Sequence, residues 1–410
     1  METQTMELLS IGLIKEGKIP VDRRVPIIPA QAARFAGQFE HAHIVAQTSD
    51  VRAIQDDEYM QAGIPVVDEV ADCDVLLGVK EVPIKELIPN KTYFFFSHTI
   101  KKQSYNLELL RAILKNNIRL IDYELLTNDQ GQRVVAFGRY AGIVGAYNGI
   151  LTYGKRYRLF DLRPAHACYD LEDMCTEYSK VKLPAIKIAV TGGGRVARGS
   201  MEVLMGMGIR QVSPAEYLTE YFDEPVFAQL NSRDYHVHQD GKPFERGEFF
   251  KNPDCFKGDF LKFAKVTDLL IAGAYWDPKA PVLFTPQEAT LPEFKIKVVA
   301  DITCDIEGSI PCTLRPSTIS DPIYDYNPER HEEAPALADE ANITVMAVDN
   351  LPCELPRDAS KDFGAELVSH VLPHLFDGDP HEVIARATIA QDGALTERFS
   401  YLQDWVDGKE

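Results

Sequence analysis

"AIKIAVTGGGRVARGSMEVLMGMGI", residues 185–209, decides the fold. An apolar run ends in three glycines, and a helix-like pattern follows at once. Gly192-Gly193-Gly194-Arg195-Val196-Ala197 fits the spacing GxGxxG/A. Gly192 permits the tight turn, Gly194 lets backbone approach a pyrophosphate, and the small Ala197 lets the helix pack on the strand. The helix N-terminus then faces the phosphates. The glycine spacing alone is weak evidence, because a plain strand–helix turn also uses glycine. The strand before it and the helix after it turn the reading toward a dinucleotide site.

Upstream, "FGRYAGIVGAYNGILTYGKRYRL" (137–159) is rich in small and apolar residues and reads as a long helix crossing between domains. Before it, short apolar runs alternate with helical patterns, as in α/β chains. The segments 7–14, 41–47, 74–80, 92–98 and 117–124 read as strands, and 29–39 and 106–117 as helices. Repeated βαβ order implies a parallel sheet with functional residues at the carboxyl ends of its strands. Downstream, 267–276, 296–303 and 342–350 complete a second sheet. Residues 214–266 exceed what a simple crossover needs and read as an insertion. The end, from 359 onward, reads as helical and as packing back on the first domain. The expected organisation is α/β. Residues 1–140 with 350–410 form a discontinuous substrate and catalytic domain, and 141–349 form a dinucleotide-binding domain.

The chain has 410 residues, enough for two domains, and a formal net charge of −19. So acidic a surface repels phosphate backbones, which excludes nucleic acid and anionic membranes as expected partners. Seven scattered cysteines without CxxC spacing imply reduced thiols and a cytoplasmic location. The first twenty residues lack a basic segment followed by a long apolar core, so no signal peptide is expected, and no apolar run reaches membrane-spanning length. "HVHQD" (236–240) alternates histidines without further ligand types nearby, so no metal site is expected. Nothing in the sequence sets the oligomeric state.

A nucleotide domain needs a substrate domain. The first domain offers Arg24, Lys80, Glu81, His98, Lys101 and Glu124 near strand ends or adjoining loops. A lysine and a histidine among carboxylates suit acid–base work, because burial and neighbouring cations lower a lysine and histidine titrates near neutrality. Arg24 and Lys101 suit carboxylate binding. Each residue taken singly also fits a solvated surface charge. Their clustering points to hydride transfer on an acidic small molecule.

At "GVKEVP" (78–83), "FFFSHTIKKQ" (94–103), "IDYELLTNDQGQRVVAFGRYAG" (121–142) and "VDNLPCELPRDAS" (348–360), the sequence resembles NAD-dependent saccharopine dehydrogenase of the L-lysine-forming type. That group lies within the wider alanine dehydrogenase and transhydrogenase-domain superfamily. The resemblance runs from about residue 11 to about 375, with 160–184 and 214–266 divergent. It implies two Rossmann-like domains with parallel sheets and an active site in the cleft between them. It implies Lys80 and His98 as the acid–base pair, Arg24 and Lys18 as substrate-binding cations, and Lys101 paired with Asp349. Glu81 and Glu124 would tune the basic pair, and Arg133 would line the site. Gly192, Gly194, Arg195, Val196, Ala197, Ser213 and Asp301 would hold the cofactor. The reaction implied is saccharopine to L-lysine and 2-oxoglutarate, or its reverse. Where the family carries an aspartate for the adenosine ribose, the strand reading "IRQVSPAEYL" has Ser213, with Glu216 three residues on. An acid repels a 2′-phosphate and serine tolerates one, so NAD is expected and NADP is not excluded. Two alternatives stand beside this: a related amino-acid or opine dehydrogenase such as an alanine dehydrogenase, and a non-catalytic nucleotide-binding regulator.

Overall fold

Two mostly parallel sheets organise the chain, each with antiparallel strands at one edge. The computed structural model describes residues 8–409; the segment read above for a signal peptide begins outside the described residues, as does the first residue of the strand read at 7–14. The chain divides into two units, Met1–Phe137 with Pro356–Glu410, and Gly138–Leu355.

Along the chain, the first unit contributes β1 (Leu9–Leu13), β2 (Ala42–Gln47), β3 (Val66–Val67), β4 (Val75–Leu77), β5 (Thr92–Phe95) and β6 (Arg119–Asp122). The second contributes β7 (Lys187–Thr191), β8 (Arg210–Val212), β9 (Val226–Leu230), β10 (His236–His238), β11 (Phe256–Gly258), β12 (Leu269–Ala272), β13 (Val298–Asp301), β14 (Ile323–Asn327), β15 (Glu332–Ala334) and β16 (Ile343–Met346). The chain then returns to the first unit with β17 (Thr388–Gln391) and β18 (Ala394–Leu395).

In the first unit the order is β18-β17-β6-β5-β4-β1-β2-β3. Strands β1 to β6 are parallel, and β17 and β18 are antiparallel. Both faces of the sheet are covered. Along β5 and its extension, Phe94 and Phe96 enter one core while Tyr93 and Phe95 enter the other. This period-2 division explains why "YFFF" is continuously apolar. The carboxyl-terminal segment differs from the all-helical expectation. Helix Pro356–His370 forms, but residues 388–395 are strands that extend the sheet edge. They are too short to carry a readable alternation.

In the second unit the order is β15-β14-β16-β13-β12-β7-β9-β8. The helix Gly138–Tyr157 lies wholly in this unit, so it does not cross between domains. It is buried on nearly all sides, as its uniformly apolar and small composition requires. It packs against the helix Arg195–Gly206 through a close approach of backbones. A Cβ at Gly142 would fall on the Val196 carbonyl, and one at Gly199 on the Arg139 carbonyl. Ser200 Oγ adds a hydrogen bond to Gly142 O at 3.1 Å.

The reading of 214–266 as an insertion needs correction. β9 is a full member of the sheet, paired in parallel with β7 over five residues. It was hidden because "VFAQL" is a short run with one polar residue. The small hairpin β10–β11 and the short helices of this segment stand outside the sheet.

The glycine contact yields a first prediction. Gly199→Ala should destabilise the protein by roughly 1–3 kcal/mol, toward the upper end because the obstructing atoms are backbone rather than side chain. Urea unfolding of the variant against the parent measures this; an unshifted midpoint would show that the helices do not meet at that residue.

Candidate active site

The carboxyl edge of the first sheet gathers the ionisable residues. Past β4 the chain continues as Gly78-Val79-Lys80. Glu16, past the end of β1, grips that turn: its carboxyl oxygens accept the N–H groups of Val79 at 2.7 Å and Lys80 at 2.9 Å. Burial, reinforced by the neighbouring Asp22, pushes the Glu16 carboxyl up to about 8 against the pull of those two amides. Burial also lowers the Lys80 ammonium, helped by the charge of Arg24 and opposed by Asp22 and Glu81.

Past β5, Ser97 is fully buried and ties itself to Asp122 at the end of β6, through its N–H at 3.0 Å and its hydroxyl at 2.5 Å. That anchor sets the turn in which His98 stands with φ of +54°. A non-glycine residue rarely takes this conformation, and the surroundings must hold it there. His98 Nδ1 lies 2.7 Å from Glu81 Oε1, and its ring stacks on Phe96. The other Glu81 oxygen accepts from Lys18 Nζ at 2.6 Å. With Nδ1–H donating to Glu81, the neutral ring carries its lone pair on Nε2. Burial alone would raise the Glu81 carboxyl; the hydrogen bonds from His98 and Lys18 outweigh it and hold it at about 2.

Arg24 is buried beside Asp22, which takes its Nε at 2.9 Å and its NH2 at 2.5 Å, and the guanidinium lies over the Phe137 ring at 4.1 Å. Lys101 approaches Glu124 at 3.5 Å, and Arg133 approaches the same oxygen at 3.9 Å. Arg133 also covers the Phe96 ring. The partner expected for Lys101 was Asp349. Its partner in the first unit is Glu124, while Asp349 is an exposed residue of the second unit whose N–H donates to Ser317 O at 3.3 Å. Sequence reading missed Glu16, Asp22 and Asp122. The spacing Asp22-x-Arg24 was the one available signal for a local ion pair.

In the second unit β7 has β9 on one side and β12 on the other, so the chain departs in both directions from the strand that carries the glycine turn. Such a switch point opens a crevice at the strand ends. Gly192 has φ of +105°, and a Cβ there would lie 3.1 Å from the Ala274 backbone. A Cβ at Gly194 would meet nothing within 4 Å, which leaves open space at the N-terminus of the helix that Arg195 begins. Val196 lies in its first turn, and Ala197 is fully buried against the sheet. The turn therefore fits a pyrophosphate. Gln229 Nε2 steadies it by donating to Gly192 O at 2.9 Å.

Two cofactor candidates stand differently from their expected places. Ser213 follows β8, which lies at the sheet edge, and it caps a short helix: its Oγ accepts from Glu216 N at 3.2 Å and its N–H donates to Glu216 Oε2 at 2.8 Å. The strand beside β7 is β9, and it ends in Asn231-Ser232-Arg233. Ser213, Asn231 and Arg233 line one open groove. Asp301 is buried and turned inward. It accepts from Thr303 and Thr313 hydroxyls, each at 2.6 Å, and burial raises its carboxyl. Among the described residues no cluster of three histidine, cysteine or acidic side chains is arranged to hold a metal ion, and no helix is long and apolar enough to cross a membrane.

The fold is the two-domain Rossmann-like one: a solved L-alanine dehydrogenase superposes over 97% of this chain and 100% of its own, with a TM-score of 0.64 at 16% identity. Residues 12–144 match the alanine dehydrogenase/PNT N-terminal domain. The chain is a homologue of the alpha-aminoadipic semialdehyde synthases and of the fungal saccharopine dehydrogenases. It is 32% identical to the mitochondrial alpha-aminoadipic semialdehyde synthase of Rattus norvegicus, over 95% of this chain and 47% of that protein. It is 26% identical to the saccharopine dehydrogenase [NAD(+), L-lysine-forming] of Schizosaccharomyces pombe, over 90% of this chain and 94% of that protein. The chain thus spans about half the length of the synthases it matches.

The two acids at the lysine should act oppositely on stability. Glu81 is held below its ordinary value of 4.5, so its stabilisation is full above 4.5 and is lost as pH falls toward 2, by up to about 3 kcal/mol. Glu16 is held above 4.5, so its contribution is present below that value and is lost as pH rises through about 8. Denaturant midpoints from pH 2 to 9 test this: Glu81→Gln should flatten the acid limb and Glu16→Gln the alkaline one. Profiles parallel to the parent's would sink both assignments.

Proposed function

We propose that the protein is an NAD(P)-dependent oxidoreductase that converts saccharopine and water to L-lysine and 2-oxoglutarate, or runs the reverse. The observation that carries this reading is the Lys18–Glu81–His98 chain beside Lys80: one carboxylate joins two basic groups next to a half-buried lysine whose ammonium is destabilised. The first unit would supply acid–base and carboxylate-binding groups, and the second the nucleotide. When bound, the nicotinamide supplies the acceptor for hydride from the glutamyl α-carbon.

The chain's own residues manage the protons. Lys80, whose ammonium is lowered by burial and by the charge of Arg24, takes the proton of the secondary amine. Loss of that proton together with the hydride from the α-carbon leaves an imine, to which water adds. His98 Nε2 removes a proton from the water and returns one as the carbinolamine collapses to lysine and ketone. Glu81 stabilises the imidazolium that forms and keeps the ring oriented. Arg24, its plane set by Asp22, would meet a substrate carboxylate, with Lys18, Lys101 and Arg133 adding positive charge around a polyanionic ligand within an acidic protein. Glu124 would moderate that charge. All seven cysteines are free thiols, which suits a reducing compartment such as the cytoplasm.

His98→Gln and Lys80→Met should each lower kcat by about 10²–10³ with little change in KM, and their effects should fall short of additive. Steady-state assays with saccharopine, with alanine as control, measure this across pH. Full activity in a folded double variant would remove the acid–base assignment.

For the coenzyme we propose NAD, with a ribose end that also admits NADP. Glu216 and Asp234 turn their carboxylates back onto the Ser213 and Asn231 N–H groups, and Arg233 lines the same groove. Arg233→Glu and Ser213→Asp should each shift the kcat/KM ratio toward NAD, by roughly tenfold for the arginine. An unchanged ratio in both variants would place the ribose elsewhere.

A further inference from the structure

The segment after β9 builds a cavity that a glycine turn alone does not require. The helix Ser232–Tyr235, the hairpin β10–β11 and the helix Arg246–Lys251 carry Tyr235, His236, Phe249 and Phe250 to its wall, and the loop after β12 adds Trp276. Its volume is about 100 Å³. Thr191 and Ala272, which end β7 and β12, and Ala274, which abuts Gly192, also border it, so it opens beside the glycine turn.

Among the described residues, one polar group in this aromatic box lacks a partner. His236 is only 5% exposed, with its ring 4.6 Å from that of Phe249. Its Nδ1 lies 3.1 Å from the Ser232 carbonyl and donates to it, because a carbonyl can only accept. Burial lowers the imidazole; with Nδ1–H committed to Ser232, the neutral ring leaves its lone pair on Nε2, which has no hydrogen-bond partner among the described residues. The Pro281 carbonyl, a second acceptor, acts on the same ring and borders the same cavity. A buried acceptor without a donor is costly. Flat aromatic walls with bare acceptors select a planar ring that carries N–H groups. Adenine has such a group in its exocyclic amine.

We infer that this cavity receives the adenine of the dinucleotide and that His236 Nε2 accepts from its amine. The inference rests on the nucleotide reading above and adds to it the residue that recognises the base.

Calorimetry on the full chain tests it with NADH, with its hypoxanthine analogue, in which a carbonyl replaces the amine, and with 5′-AMP. The parent should bind NADH about tenfold more tightly than the analogue, since the analogue sets one acceptor against another. His236→Phe should bring the two together. AMP should quench Trp276 fluorescence, and Phe250→Ala should weaken AMP binding. Phe250 is 57% exposed, so that variant tests the cavity even if His236→Phe fails to fold. Equal affinities in the parent, an unchanged ratio in folded His236→Phe, or undiminished AMP binding in Phe250→Ala would each overturn the inference while the nucleotide reading stands. Failure of every nucleotide to bind would remove both.

Discussion

A charge taken out of water needs a partner, and the carboxyl edge of the first sheet is arranged around that requirement. Glu81 is the centre of it. One oxygen holds His98 and the other holds Lys18, so a single carboxylate orients two basic groups that come from distant parts of the chain. Asp22 does the same for Arg24, and Asp122 for the turn before His98. Removing Asp22 would take a carboxylate from the buried Arg24, and removing Asp122 would take the anchor from the turn before His98. The same pairing explains how neighbouring carboxyls diverge. Burial and a neighbouring acid keep Glu16 high against the pull of two amides, while hydrogen bonds from His98 and Lys18 hold Glu81 low. Environments that push like groups apart are what acid–base chemistry near neutrality uses.

The second unit rests on a different constraint, the absence of side chains. Gly142 and Gly199 let two helices touch backbone to backbone, and that contact fixes the helix whose N-terminus begins at the glycine turn. The strand order then decides what surrounds the turn. Because β9 lies beside β7, the groups next to the glycines are Gln229 and Asn231, and Arg233 lines the groove that these two share with Ser213. The acids nearby spend their oxygens on helix caps.

The match to longer synthases and to shorter saccharopine dehydrogenases is compatible with one framework carrying additions. The hairpin β10–β11 lies outside both large sheets and walls an aromatic cavity.

Much of this was legible in the residues. The glycine turn between strand and helix, the parallel order of the first sheet, and the placement of Lys80 and His98 at strand ends all follow from local patterns, because alternation, periodicity and turn chemistry act over a few residues. The fate of each charge did not. Glu16, Asp22 and Asp122 look like ordinary surface acids until the strands are assembled, and Lys101 meets Glu124 only because β6 lies beside β5. Ser213 occupies its expected place in the sequence, yet strand order sets β9 rather than β8 next to the glycine turn. Local sequence determines which segments form strands and helices; which strand neighbours which, and so which side chains are buried together and must neutralise one another, is settled by long-range packing that no short window contains.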